Sequence, residues 1–185
     1  MLAPFHLEKS IQATAALLRT SHGNRMSRLR VLKLLYLAER QVLKETGRTI
    51  TGDRPVAMDH GPVLTGIYNL IKGEHADARR WDHFIEREGE HDIHLKADPG
   101  NGKLSRYELE KLTTTAKAFE TYNDWSLSEH THTFPEWKKN KPPKGSSVPI
   151  PTDDVLAALK MLSRKDDLQK DANATASVHR LLSLK

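Results

Sequence analysis

The stretch SEHTHTFPEW, residues 128–137, gathers two histidines, two glutamates, a phenylalanine and a tryptophan in ten positions. A zinc site needs three or four ligands converging on one point. His130 and His132 are two apart, which on a helix separates them by about 200°. They converge only if the helix has ended, and Pro135 disfavours helix at Phe134. Glu129 and Glu136 would add oxygen ligands, but no HExxH pattern accompanies them. The structural reading is that Phe134 and Trp137 close a core below a short helix, with one histidine bonding a carbonyl at the helix end.

Asp59-His60-Gly61-Pro62 invites a catalytic reading. Neighbours on an extended strand point to opposite faces, so this is no dyad. The pattern reads instead as a strand-to-helix turn, with Pro62 suited to a first helical position. Arg19, Arg25, Arg28, Arg30 and Lys33 surround the start of a long helix. Arg25, Arg28 and Arg19 offer a patch for phosphates or an acidic partner, against the plainer reading of a solvated face. No Ser-His-Asp triad, P-loop or dinucleotide fingerprint occurs, and no catalytic, metal or cofactor residue is assigned.

The elements that would position these residues follow from periodicity. Leu7, Ile11, Ala15 and Leu18 predict a helix over about 6–20. SHGN, 21–24, reads as a turn. Residues 26–46 predict a second helix, apolar around most of its circumference and stopped by Gly47. Residues 48–63 predict two short extended segments about Gly52-Asp53. Gly61-Pro62 then opens a helix ending at Lys72-Gly73. Residues 84–97 predict a hairpin turning at Gly89-Glu90. Ser105–Glu108 and Ser126–Glu129 read as two capping boxes. Thr152 caps a helix carrying Val155, Leu156, Leu159 and Leu162. The last twenty residues, ending in the apolar VHRLLSL, read as a loosely held helix or a disordered tail. The fold class is mainly α: a compact multi-helix domain with one or two small β-hairpins. Its organisation is a domain over 1–140, a Pro/Lys-rich linker over 141–151, and a C-terminal helix and tail over 152–185 that packs on or extends the domain.

At 185 residues the chain is long enough for one domain to bury a core without crosslinks, and it has no cysteine. Thiol chemistry and cysteine-zinc sites are therefore excluded. The net charge is +5, but residues 1–50 are basic and 51–100 acidic. That permits nucleic-acid binding without favouring it. No membrane span or secretory signal is visible, so the expectation is a cytoplasmic protein.

Residues 29–73, LRVLKLLYLAERQVLKETGRTITGDRPVAMDHGPVLTGIYNLIKG, resemble the Panacea domain, also called the SocA-like antitoxin domain. The matching features are K-L-L-Y-L-A at 33–38, Gly47, the extended segment to Ala57, and G-P-V followed by I-Y at 61–68. LSRYELEKLTTTAKAFETYNDWSLSEHTHTFPEW is similar to the family's later part, with His132 and Trp137 on its positions. Glu136 departs from the pattern, standing between Pro135 and Trp137 where the family often sets proline beside tryptophan. The domain also starts almost at residue 1, which leaves no room for a separate DNA-binding module.

The resemblance implies the antitoxin of a type II toxin–antitoxin system, of prokaryotic or phage kind. It would be a non-catalytic module that neutralises a cognate protein toxin by complex formation or delivers it to a protease. A chaperone and a second copy of the chain are further partners it allows. Lys33, Tyr36, Tyr68, His132, Trp137, Arg25 and Arg28 are the candidate partner-binding residues. Most of them read as fold determinants, with Lys33 and His132 as exposed contacts. The alternatives are a metal-dependent hydrolase or nuclease using His60, His130 and His132, and a nucleic-acid-binding module using the basic start of the second helix.

Overall fold

The computed structural model describes residues 3–182, with side chains to 177. It is mainly α with two small three-stranded antiparallel sheets. In chain order the elements are α1 (Leu7–Leu18), β1 (Arg25–Ser27), α2 (Arg28–Thr46), β2 (Pro55–Met58), β3 (Gly61–Leu64), α3 (Thr65–Lys72) and α4 (Ala78–Asp82). There follow β4 (Ile85–Glu88), β5 (Asp92–Leu95), α5 (Arg106–Ala118), α6 (Asp124–His132), α7 (Pro135–Lys139), β6 (Ser147–Pro149), α8 (Thr152–Ala158) and α9 (Lys165–Leu182). Two single 3₁₀ turns, His22–Asn24 and Leu162–Arg164, complete the list. The packing of the apolar end, VHRLLSL, lies outside the described residues.

Helix α2 is the axis of the fold. Nine consecutive residues, Val31 to Glu39, are buried, which requires neighbours on every side. Helices α1, α5 and α6 and strand β3 supply them. The main core joins Leu17, Leu18, Leu34, Leu35, Ile67, Trp81, Ile85, Ile93, Leu112 and Leu127. A second apolar cluster joins Leu43, Ala57 and Trp137 to Ile150, Val155, Leu156, Leu159, Met161 and Leu168.

Both sheets are hairpins widened by a strand from elsewhere. β1 pairs with β5, and β6 pairs with β2. Ser147–Pro149 thus puts part of the segment read as a linker into a sheet.

Several local expectations are corrected. Gly61-Pro62 does not open a helix. Val56 pairs with Val63 and Met58 with Gly61, so the chain turns at Asp59-His60 rather than at Gly52-Asp53. Pro62 is tolerated because β3 is an edge strand, where a missing N–H breaks no ladder bond. Helix α3 starts at Thr65 and is capped from a distance. The Asp53 carboxylate accepts the Gly66 and Ile67 N–H groups at 2.8 and 2.9 Å.

Helix α2 begins at Arg28 rather than at residue 26, capped by Ser27, whose hydroxyl accepts the Arg30 N–H. The Ser105–Glu108 capping box forms as read, with both reciprocal bonds. The box at Ser126–Glu129 does not form. Asn123 caps α6 instead by accepting the Ser126 N–H at 2.8 Å. Thr152 is the first helical residue of α8 and makes no side-chain cap.

Candidate functional site

The β2–β3 turn is gripped from two sides. From α2, Lys33 Nζ donates to the Pro62 carbonyl at 2.9 Å. From α6, Ser128 Oγ donates to the His60 carbonyl at 2.6 Å. From α7, Trp137 Nε1 donates to the Met58 carbonyl at 3.0 Å. Three carbonyls of the turn thus find side-chain donors, which meets the hydrogen-bonding demand of buried backbone.

Gly61 sits at the centre of this grip with φ +93°, and a Cβ there would lie 2.3 Å from Thr131 Oγ1, 3.0 Å from Lys33 Nζ and 3.2 Å from His132 Cδ2. Only glycine allows that backbone and that proximity.

Lys33, Tyr36 and Arg40 lie at i, i+3 and i+7, one face of α2. Lys33 reaches the turn, while Tyr36 Oη and Arg40 Nε both donate to Glu136, at 2.9 and 2.6 Å. The Glu136 side chain is fully buried. The acid that departs from the family pattern is therefore a structural acceptor. Phe134 packs on the same face, its ring 4.3 Å from the Arg40 guanidinium carbon.

Burial, with no carboxylate to offset it, pulls the Lys33 amine down from 10.5 to about 7. Burial also raises the Tyr36 hydroxyl well above its ordinary value, reinforced by Glu136. One turn along, the Glu39 carboxylate accepts from the Ile50 and Thr51 N–H groups and the Thr51 hydroxyl. Burial nevertheless raises it to about 7.

His132 is lowered chiefly by burial. Nearby Lys33 adds to that shift, and Glu129, whose Oε1 lies 3.2 Å from Nδ1, opposes it. Its Nε2 is buried, with no hydrogen-bond partner among the described residues.

The expectation that Lys33 is an exposed contact is overturned: its exposure is 0%. Its helix is packed on all sides, and its amine ends under the β2–β3 turn on the Pro62 carbonyl. Tyr36 and Trp137 are buried as well, and His132 is partly buried. These four residues gather around the turn. Tyr68, Arg25 and Arg28 do not join them. Arg25 pairs with Glu88 at 3.1 Å beside β5, Arg28 is exposed, and Tyr68 is half-buried on α3.

The basic set disperses too. Arg19 pairs with Asp98, and Arg30 turns inward to the Phe119 and Tyr122 carbonyls. The three histidines of the metal alternative also separate. His130 packs with Phe119, Tyr122 and Phe134, His132 stacks on Trp137, and His60 meets Trp125 edge-on. Among the described residues no three His, Asp or Glu side chains could hold a metal ion together.

What sequence reasoning missed is an aromatic surface. Trp125 on α6 is 65% exposed and Tyr122 37%. Tyr122 packs edge-on against Phe119, centroids 5.1 Å apart, and the Arg30 fork fixes the loop that carries it. The available signal was Tyr122 and Trp125 flanking Asn123-Asp124, a helix start too polar to bury both rings.

A family model described as antitoxin SocA-like, Panacea domain, matches residues 31–138. That span runs from α2 to α7 and contains every residue that grips the turn. No curated protein and no solved structure matches the chain. Among the described residues no helix is long and apolar enough to cross a membrane.

Proposed function

The chain belongs to the Panacea-domain family of SocA-like antitoxins, and from that premise we propose that it neutralises a protein toxin by forming a complex with it, without catalysis. The carrying observation is Trp125, a large aromatic left mostly in solvent on a helix whose other face is buried. Tryptophan and tyrosine held on a rigid base are the residue types that dominate binding energy at protein interfaces. Trp125 and Tyr122 form the docking centre in this reading. Arg28 and Tyr68 lie toward its rim, while Lys33, Tyr36, His132 and Trp137 support it from inside.

The test is co-expression with the product of the neighbouring gene, read by co-purification and by rescue of growth. Trp125→Ala should keep the melting temperature of the parent and lose both readouts. Retained rescue in that variant would remove the proposed surface, and failure of the parent in both readouts would remove the antitoxin reading.

A further inference from the structure

A cavity of about 750 Å3 opens where the start of α2 meets the β2–β3 turn, α3 and residues 145–147. Small-molecule sites commonly span roughly 300–1,000 Å3. Arg28, Lys33 and Lys72 line it.

Each of these cations has donor capacity to spare. Lys33 is fully buried, and among the described residues its amine bonds one neutral carbonyl, that of Pro62. An ammonium has three donors. The Arg28 guanidinium has no partner among the described residues, and Lys72 pairs with the exposed Glu74 at 2.6 Å while its amine lies 5.4 Å from the centroid of the Tyr68 ring. The 19-residue α2 directs its N-terminus, the positive end of its dipole, at the same space.

Two acids also line the wall, each accepting a hydrogen bond from a neighbour on the same wall. Asp59 accepts the Gly145 N–H at 2.6 Å. Asp124 accepts the Ser27 hydroxyl and lies 4.0 Å from Arg30. The ring of Tyr68 supplies flat apolar surface, and the imidazoles of His60 and His91 also line the cavity.

We infer that this cavity binds a small molecule of nucleotide size bearing more than one phosphate, held by Arg28 at the start of α2 and Lys72 at the end of α3, over the buried amine of Lys33. The inference does not depend on the toxin reading. A buried amine that titrates near neutrality takes up a proton when an anion arrives beside it, so Lys33 gives the site a distinctive signature.

The test is calorimetric titration of the full chain with ATP, inorganic pyrophosphate and adenosine, in buffers of differing ionisation enthalpy. ATP should bind, pyrophosphate more weakly, and adenosine not at all. Binding of ATP should weaken as salt rises. Arg28→Ala, at an exposed position, should weaken ATP by about tenfold. Lys33→Met should weaken it further and reduce proton uptake. Should Lys33→Met fail to fold, Arg28→Ala and Lys72→Ala carry the test. No ATP heat at millimolar concentration, or affinity unchanged in Arg28→Ala and Lys72→Ala, overturns the site. ATP binding no tighter than pyrophosphate overturns the nucleotide-sized assignment.

Discussion

The imidazole of His132 stacks on the indole of Trp137, ring centroids 4.1 Å apart and planes 11° from parallel. The pair closes the gap between α6, α7 and the β2–β3 turn, and the indole N–H ends on Met58. Trp137→Ala should cost about 3–5 kcal/mol, the usual range for emptying a buried aromatic site. Trp137→Phe keeps a ring there and loses the hydrogen bond, adding about 1 kcal/mol to a smaller packing loss. Urea denaturation ranks the two, and equal losses would contradict the role given to the N–H.

Glu136 is a buried acceptor shared by Tyr36 and Arg40. Tyr36→Phe removes one charge-assisted bond and should lower stability by about 1.5–3 kcal/mol. Arg40→Met leaves the carboxylate without its cation and should cost more, about 3–5 kcal/mol. A thermal melt of the two variants checks the order.

Two oppositely shifted groups should make stability lowest near neutral pH and higher on either side of it. Glu39 titrates near 7 in the folded chain against an ordinary 4.5. Its contribution is present below 4.5 and lost as pH rises to about 7. Lys33 titrates near 7 against 10.5. Its contribution is present above 10.5 and lost as pH falls to about 7. Neutral pH is thus the unfavourable point for both. Glu39→Gln should flatten the acid limb of a stability–pH curve and Lys33→Met the alkaline limb. Unchanged limbs would show that neither shift operates.

Gly61→Ala combines a positive φ with a 2.3 Å approach to Thr131. It should destabilise by about 1–3 kcal/mol from backbone strain alone. Thr131→Ala in the same chain removes the nearest atom but not the strain. The double variant should therefore recover only part of the loss in chemical denaturation.

Local features were the legible ones. The Ser105–Glu108 cap, the Gly47 and Gly73 helix stops and the β4–β5 hairpin depend on residues a few positions apart. The family pattern named Lys33, Tyr36, His132 and Trp137, which the fold brings to one turn. Exposure of Lys33 was misjudged because a lone lysine is ordinarily at the surface. The apolar residues on both sides of it, Val31-Leu32 and Leu34-Leu35, were the contrary signal. The roles of Glu39 and Glu136 rest on partners 11 to 100 positions away, and no local pattern carries such pairings. The same holds for β1 and β6, three-residue strands whose registers are set by distant hairpins.

Strand β6 occupies the outer side of β2, from Val56 to Met58. Trimming the chain after residue 140 would leave that row of amides and carbonyls open, beside an uncovered Leu43 and Trp137. An unguarded strand of this kind recruits others like itself. The shortened protein should elute from a sizing column as polydisperse oligomers.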